Sequence, residues 1–413
     1  MPTRTARSRD SARSTTPATF RHTVDRAEGR RRGYRRAVIR KALFWGSLGA
    51  LGWTHVGYPA AAAALARVRP RPIRKDDLTP EVSVIVAAHD EEDVIGPRVE
   101  NLLELDYPAD RLRVVVASDG STDRTNEIVS ELARRSERVE LLECERAGKA
   151  TAQNTAVAQS DAEVIAFSDA NSRWEPDALR KLVRSFADPE VGYVCGQLRL
   201  ESPDGVSQEG FYWRYELWQR ESESAIGSIT AGNGAIYAVR RSDYLGFDDP
   251  QIGHDFGLPF RLVQRGRRAV YDPEAVAWEK PAINAGEEYG RKVRMMTRSW
   301  RPLLDGSLAR TKDPLYAAEL VSHRVLRYGS GVLHLVLFGS TVALALESRI
   351  YRLALVDQLG LFALALAGRK RLPVPGAGIA YYYFLTTAAT VEALVRYVRE
   401  GSPATWGKAE GTR

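Results

Sequence analysis

Residue types that often carry chemistry are scarce in this 413-residue chain, which has two cysteines and six histidines. The cysteines, Cys144 and Cys195, follow neither the spacing of a zinc site nor that of a redox motif, so we expect two inert thiols in a reducing compartment. The histidines show no paired spacing, which argues against a zinc site built on histidine. The sequence also offers no arrangement of serine, histidine and aspartate that would point to a covalent nucleophile.

A composition that would indicate wholesale disorder is also absent, because 44% of the residues are apolar and 27% are charged. The net charge of +7 is uneven, with a basic arm at residues 1–42 next to an apolar segment. A basic arm in that position is typical of the anionic cytosolic face of a membrane. We therefore expect membrane lipids as its partner and no nucleic acid, and we expect the arm itself to be disordered. The arm lacks the small-residue cleavage site of a secretory signal.

Apolar segments flank the middle of the chain on both sides. Residues 43–66 exceed the roughly 20 residues that a membrane-spanning helix needs, but their glycines, Pro59 and two basic flanks also suit a re-entrant hairpin. Within residues 326–398 we predict about three transmembrane helices, with buried helices of a soluble domain as the alternative. The apolar runs are residues 328–346, 353–367 and 377–395. Residues 399–413 form a short tail.

Short apolar strands alternate with amphipathic helices from Val82 onward. The strands are predicted at residues 82–88, 113–118, 139–143 and 164–168, and the helices at residues 94–105, 125–135, 149–159 and 176–186. This alternation predicts an α/β domain with a mostly parallel sheet that is covered by helices on both faces. Sheets of this kind bind ligands beyond the carboxyl ends of their strands, so we expect the chemistry there.

Acidic residues follow three of these strands. Glu91 follows the first strand, Asp119 the second, and Asp169 with Asn171 the fourth. Each of them alone is explained as well by a helix cap or a turn. Because parallel strands bring their carboxyl ends side by side, the three strand ends together predict one site. Oxygen ligands two residues apart, as in Asp169 and Asn171, suit Mg²⁺ or Mn²⁺, which often bridges to diphosphate oxygens.

Two glycine-containing segments add to this site. Lys149 follows a glycine at the start of a predicted helix, where a basic residue can meet a phosphate group. Residues 231–234, with the sequence AGNG, would let an acceptor approach the backbone closely, and an ordinary turn between strands is the alternative. The aromatic residues Trp213, Tyr215 and Trp218 have helical spacing, which favours packing over stacking on sugar rings.

These segments resemble, in order and spacing, the donor-binding half of a family 2 glycosyltransferase. The resemblance is carried by VSVIVAAHDEE, VVVASDGSTDRT, RAGKATAQN, FSDANSRWEPDAL and FADPEVGYVCG, and it continues through AGNGAIYAVRRS, HDFGLPFRLVQRGRRAVYDPEAVAWE and RKVRMMTRSW. It covers about residues 80–305, and the apolar flanks resemble those of the membrane-embedded cellulose, chitin and hyaluronan synthases. The resemblance implies a GT-A fold, which is a Rossmann-like domain that binds a nucleotide sugar, with transmembrane helices at both ends.

The resemblance also implies roles for individual residues. Asp255 matches the catalytic base, and Asp169 and Asn171 match the two ends of the Asp-x-Asp metal motif. The residues matched to nucleotide-sugar binding are Glu91, Asp119, Lys149, Asp169, Arg291 and Arg294, and those on the acceptor side are Gly232, Asn233, Gly234 and His254. The positions that depart from the family pattern are Asn171 for an aspartate, His254 for a glutamate and Met295 for a tryptophan.

The expected function is the inverting transfer of a sugar from a nucleotide diphosphate donor, a UDP-sugar, to a polysaccharide or lipid-linked acceptor. The expected cofactor is Mg²⁺ or Mn²⁺. The expected location is the plasma membrane, crossed several times, with the catalytic domain in the cytosol and an export partner as a further possibility. Two alternatives stay open. A nucleotidyltransferase shares the acidic sheet edge, and a catalytically weakened membrane subunit that binds nucleotide or glycan is favoured by the three departures from the family pattern.

Overall fold

The computed structural model describes residues 17–201, 208–246, 254–281, 285–306 and 310–401, with side chains from residue 34 onward except those of 208–212 and 254–256. The strands are β1 (Val82–Ala88), β2 (Leu112–Asp119), β3 (Val139–Cys144), β4 (Val164–Ser168), β5 (Arg173–Trp174), β6 (Val191–Leu200), β7 (Tyr237–Arg240) and β8 (Arg268–Glu279). The helices are α1 (Pro17–Gly52), α2 (Tyr58–Val68), α3 (Ile95–Leu103), α4 (Thr125–Arg135), α5 (Lys149–Ala158), α6 (Ala178–Val183), α7 (Gln208–Ile226), α8 (His254–Gln264), α9 (Ala285–Leu304), α10 (Pro314–Glu319), α11 (Leu326–Tyr328), α12 (Ser330–Leu344), α13 (Arg349–Arg369) and α14 (Ala377–Glu400).

The described strands form one sheet in the order β3-β2-β1-β4-β7-β6-β8-β5. Strands β1 to β4 are parallel, with β1 between β2 and β4 and with β3 beside β2. Strand β7 runs antiparallel to both β4 and β6, and β8 runs parallel to β6. The parallel sheet that the sequence predicts is therefore confirmed for the first four strands, whereas the sheet as a whole is mixed.

The predicted elements of the α/β domain agree with the observed ones within three residues at each end. Strands β1 and β4 and helix α4 have the predicted bounds. All seven residues of β1 are buried, which explains why its apolar run is continuous and not alternating. Local signals are strong here because each apolar run is bounded by charged or turn-forming residues.

Helices cover the sheet on both faces, as predicted. On one face, Val99 of α3, Val129 of α4 and Leu182 of α6 pack into the core with the strands. On the other face, Ala156 of α5 and Leu262 of α8 pack against the same strands. The apolar stripes of these helices thus bury both surfaces of the sheet and leave its carboxyl edge open for a site.

The N-terminal helices form a continuous rod. Helix α1 passes into α2 through a π-helical turn, Trp53–Gly57, and the flanking residues Gly52 and Tyr58 both have right-handed helical dihedral angles. The segment 43–66 is therefore a helix without a hairpin turn in this structure. Part of the basic arm that was expected to be disordered is helical too, since α1 begins at Pro17.

Helices from the two ends of the chain pack against each other. Phe44 of α1 lies in an apolar cluster with Leu337 and Leu344 of α12. Val293 and Trp300 of α9 pack in another cluster against α14. Helix α7 contacts both α2 and α14, so the terminal helices form a helical platform beside the α/β domain.

One helix in the described part of the chain, α13, is long and apolar enough to cross a membrane. The helical segment Pro314–Tyr328 and helix α12 meet the same criterion only when they are counted as one helix. The chain bends by 63° at the break between them. The other predicted membrane segments, in α1–α2 and in α14, do not meet this criterion.

Candidate active site

A cavity of 390 Å³ lies at the carboxyl edge of the sheet, next to the residues that follow β4 and end β8. Six predicted residues line it, namely Lys149, Asp169, Gly232, Asn233, Gly234 and Arg291. Further lining residues come from α7, α9 and the segment around Arg324, and others from α5 and from strands β6, β7 and β8. A larger cavity of 710 Å³, lined by residues of α8 and α10, contains none of the predicted residues. Convergent polar groups, and not size, therefore identify the smaller cavity as the candidate site.

Asp169 is held between a cation and a glycine. Its carboxylate forms an ion pair with the Lys149 ammonium at the start of α5. On its other side, a Cβ atom at Gly234 would lie 2.8 Å from Asp169 Oδ2, a distance that real Cβ atoms do not show. The glycine of the AGNG segment is thus required by the close approach of this carboxylate.

Asp119 fixes the loop that carries Lys149. Its side chain is fully buried, and its carboxylate accepts hydrogen bonds from Arg146 Nη1 at 2.7 Å, from the Ala147 amide at 2.8 Å and from the Gly148 amide at 3.0 Å. The strand end of β2 therefore positions the helix start of α5. Asp119 supports the cavity wall from behind and does not itself line the cavity.

Glu91 belongs to a second braced turn beside Asp119. The Glu91 amide donates to Thr125 Oγ1 at 2.8 Å, and His89 Nδ1 lies 2.9 Å from the carbonyl oxygen of Asp119. The Thr122 amide donates to the neighbouring Asp90 carboxylate, which lowers the pKa of that carboxyl. The side chains of Glu91 and Asn171 do not line the 390 Å³ cavity.

Helix α9 presents a different face to the cavity from the one that the family motif implies. Arg291 lines the cavity and forms two hydrogen bonds with Glu288, from Nε at 2.8 Å and from Nη2 at 3.0 Å. Arg294 is exposed and is not among the lining residues, whereas Arg298 is. Residues 291, 295 and 298 share one helical face, so the 3.6-residue period was the signal for Arg298.

Trp300 does not substitute for the missing motif tryptophan in this structure. Its indole is buried between α9 and α14, and Nε1 donates to the carbonyl oxygen of Thr390 at 3.3 Å. Met295 lines the cavity at the motif position instead. The departure at residue 295 is therefore real, and no shift of the backbone brings Trp300 into the site.

Several further lining residues were missed in the sequence, among them three charged ones, Glu279, Arg220 and Arg324. Glu279 ends β8, and burial together with the negative charge of Asp169 raises its pKa to about 8. Arg220 of α7 is buried and donates from Nη2 to the carbonyl oxygen of Gly232 at 3.4 Å. Arg324 reaches the cavity from the π-helical turn Leu320–Val325. Glu279 had the same signal as Asp169, an acidic residue at a strand end, but its strand was not predicted.

Trp213 lines the cavity as well, with its indole Nε1 donating to the carbonyl oxygen of Leu198 at 2.7 Å. Tyr215 instead donates its hydroxyl to the carbonyl oxygen of His55, which is packing between helices as expected. His254 and Asp255 begin helix α8, but their side chains lie outside the described part of the structure.

Much of the chain that forms this site is similar to a known protein family. Residues 83–246 match the family model described as glycosyl transferase family 2. The chain thus carries an enzyme domain, and the sheet edge, the Asp169 site and the AGNG segment all lie inside it. Glu279, the lining residues of α9 and Arg324 follow it in the chain, so part of the cavity wall comes from outside the matched residues.

Individual relatives are glycosyltransferases. The chain is 32% identical over 232 residues to a beta-monoglucosyldiacylglycerol synthase of Nostoc sp., a match that covers 53% of this chain and 49% of the relative. It is 25% identical over 245 residues to a poly-beta-1,6-N-acetyl-D-glucosamine synthase of Staphylococcus aureus, covering 57% and 59% of the two chains. The chain thus spans about half the length of the curated relatives that it matches.

A solved structure resembles nearly the whole chain. It is the mannosyltransferase of Pyrobaculum calidifontis in complex with GDP-Man and Mn²⁺, with a TM-score of 0.68 and 24% identity. The match covers 88% of this chain and 98% of the mannosyltransferase. Because so much of both chains is covered, the shared fold includes terminal helices as well as the glycosyltransferase domain.

Proposed function

We propose that the chain is an inverting glycosyltransferase that moves a sugar from a nucleotide diphosphate donor, a UDP-sugar, to a polysaccharide or lipid-linked acceptor. One observation carries the proposal. Asp169, Lys149 and residues 232–234 converge with Arg291 on one cavity at the sheet edge of a family 2 glycosyltransferase domain. The relatives, a monoglucosyldiacylglycerol synthase and a poly-N-acetylglucosamine synthase, support both acceptor classes.

The cofactor in this proposal is Mg²⁺ or Mn²⁺, held by Asp169 and Asn171. Carboxylate and amide oxygens suit these hard cations. The Asp169 carboxylate already binds a cationic group, the Lys149 ammonium, at the wall of the cavity, which supports a cation site at this place. When bound, the metal would offset the negative charge of the leaving diphosphate.

The proposed chemistry needs one base and a group of cations. Asp255 removes the proton of the acceptor hydroxyl while that oxygen attacks the anomeric carbon, and the bond from this carbon to the diphosphate oxygen breaks with inversion. Lys149, Arg291 and Arg298 balance the charge that grows on the leaving diphosphate. Glu91 and the loop that Asp119 fixes form the boundary of the site at its nucleoside end. No covalent intermediate forms.

The acceptor is proposed to enter over residues 232–234, where Trp213 also lines the cavity, and His254 is assigned to the acceptor by the resemblance alone. The helical platform would then hold this entrance at the cytosolic face of the plasma membrane. This location is supported by the apolar helix α13, with Leu353, Val356 and Phe362 exposed on its surface. A multi-pass topology, anchoring by 43–66 and 326–398, and an export partner are parts of the same proposal.

The test is a screen of the purified full-length chain in detergent against UDP-, GDP- and other nucleotide sugars, with and without Mn²⁺ or Mg²⁺. We expect one UDP-sugar to be consumed with release of UDP. Asp255→Asn should lower that turnover by about 10²–10⁴-fold while binding of the donor is retained. Asp177→Asn at the start of α6, outside the cavity, is the matched control and should leave turnover unchanged.

The outcomes separate the alternatives. Release of pyrophosphate instead of UDP would show a nucleotidyltransferase. Binding of nucleotide sugars without turnover of any of them would support the weakened membrane subunit, which Asn171 favours. Full turnover in Asp255→Asn would show that the base lies elsewhere.

A further inference from the structure

We propose that Glu279 is the second carboxylate ligand of the divalent cation and supplies the charge that Asn171 lacks, an inference that rests on the proposed function. The Asp-x-Asp pattern of the resemblance places two negative charges beside the metal, and this chain retains only Asp169 there. A dication is poorly matched by one carboxylate, because hard cations gain most from charged oxygen ligands.

The topology of the sheet brings Glu279 to Asp169. Strand β8 is parallel to β6, and both β6 and β4 are antiparallel to β7. Strands β8 and β4 therefore run in the same direction, and their carboxyl ends lie at the same edge of the sheet. Asp169 directly follows β4 and Glu279 ends β8, and both line the 390 Å³ cavity. The two carboxylates are 110 residues apart in the chain and face one space.

The hydrogen bonding of Glu279 leaves an oxygen for a ligand. Among the described residues, its buried Oε1 atom has no hydrogen-bond partner. A buried polar atom without a partner is costly, so such an atom at a cavity wall points to a ligand that completes it.

Basic residues surround this acid pair and explain how it persists before a metal binds. Lys149 pairs with Asp169, and the charge of Arg291 acts on Glu279 from the front of the cavity. Arg98 is also buried, with its guanidinium over the Trp174 ring, and the negative charges of Asp169 and Glu279 act on it. A metal would take over the role of the Lys149 ammonium.

The described residues contain no cluster of three or more histidine, cysteine or acidic side chains that could hold a metal on its own. Asp169 and Glu279, which both line the cavity, would provide two carboxylate ligands, and diphosphate oxygens and water would complete the shell. A site of this kind binds its metal tightly only together with a nucleotide, so UDP must be present in the test.

The experiment measures Mn²⁺ binding, not turnover. The full-length chain in detergent is titrated with Mn²⁺ in the presence of UDP, and free Mn²⁺ is followed by its electron paramagnetic resonance signal. We expect Glu279→Gln to weaken Mn²⁺ binding at least about tenfold, since even outer-shell changes cost 10–100-fold. Glu279→Asp, which keeps the charge on a shorter side chain, should retain more affinity than Glu279→Gln.

Glu175→Gln is the matched control. Glu175 lies near the same sheet edge, where its Oε1 accepts a hydrogen bond from Trp278 Nε1 at 3.1 Å, but it does not line the cavity. Equal weakening in both Gln variants would show a general charge effect and overturn the proposal. The proposal would also be overturned if Glu279→Gln bound Mn²⁺ as tightly as the wild-type chain while Asp169→Asn no longer bound it. Thermal unfolding without Mn²⁺ checks that each variant is folded. If Glu279→Gln is not folded, the Mn²⁺ affinity of Glu279→Asp tests the proposal instead.

The inference and the proposed function fail in different ways. A wild-type chain that transfers sugar but binds no Mn²⁺ overturns the cation site and leaves the glycosyltransferase. A wild-type chain that binds Mn²⁺ with UDP through Glu279, but transfers no sugar, overturns the proposed function and leaves the cation site.

Discussion

The two walls of the candidate cavity are built in different ways. The sheet wall, Lys149, Asp169 and residues 232–234, is positioned by strand ends and tight turns within residues 83–246, which match the family model. The helix wall, Arg220, Arg298 and Arg324, comes from α7, α9 and the π-helical turn Leu320–Val325, which are separate elements of the chain. Arg324 Nε, for example, donates to Thr230 Oγ1 at 2.9 Å across 94 residues. Local sequence therefore determines one wall, and tertiary packing determines the other.

Glu223 of α7 is the centre of the contacts behind the helix wall. Its fully buried carboxylate accepts hydrogen bonds from the Tyr58 hydroxyl at 2.8 Å and from Thr230 Oγ1 at 3.0 Å, and lies 2.6 Å from His323 Nδ1. Burial opposes ionisation here, but His323 and Arg324 more than offset it and lower the pKa of Glu223 to about 2. The charged carboxylate thus joins α2, α7 and the segment before α11 to the start of the AGNG loop.

The largest expected effect comes from breaking this network with Glu223→Gln. The substitution keeps the shape of the side chain but leaves buried donors and cations without their carboxylate. The free energy of unfolding should fall by about 3–5 kcal/mol, which denaturation of the detergent-solubilised chain measures. Glu221→Gln, on an exposed face of the same helix, is the control and should change stability by less than about 0.5 kcal/mol.

Two other results would contradict this difference between the walls. If Glu223→Gln kept its stability and lost only sugar transfer, the helix wall would be a working part of the site and not its support. If neither quantity changed, the hydrogen bonds of Glu223 would be replaceable by water, and the two walls would differ less than their contacts indicate.

The same division explains what could be predicted from the sequence. Strands β1 to β4 and the helices between them were predicted nearly residue by residue, because each is a local apolar pattern with clear ends. Asp169 followed from one of those strand ends, and Lys149 followed from a glycine and a basic residue at the start of a predicted helix. β6, β7 and β8 were not predicted, and with them Glu279 and the mixed character of the sheet were missed.

The rest could not be predicted because it depends on which elements meet in space. The motif on α9 predicted Arg291 and Arg294, but packing of Trp300 against α14 fixes the rotation of the helix and turns Arg298 to the cavity. The partners of Arg220 and Glu223 lie on separate elements, so no local pattern reveals them. The helical period predicts which residues share a face, but the elements packed against the helix determine which face is buried.

The second expected effect tests this rotation of α9. Arg298→Ala should lower kcat/KM for the donor identified in the screen by about 10²-fold, because it removes a cation that faces the leaving diphosphate. Arg294→Ala should lower it by less than about threefold, since Arg294 is exposed and outside the cavity. The two variants remove the same charge from the same helix, so each is the control of the other. The reverse order of effects would show that the family motif, and not the observed rotation, describes the working helix.

The smallest expected effect lies where the two walls meet, at Gly232. Its carbonyl oxygen accepts from Arg220 of the helix wall, and a Cβ atom at this position would overlap the hydroxyl oxygen of Tyr193. Gly232→Ala should therefore displace the AGNG segment, residues 231–234, and lower kcat/KM by about tenfold, since small misplacements in a site are costly. Tyr193→Phe in the same chain removes that oxygen and should restore much of the loss, while Tyr193→Phe alone should be close to wild type. A double variant no better than Gly232→Ala would show that the acceptor needs the bare glycine itself, and not merely the space that Tyr193 fills.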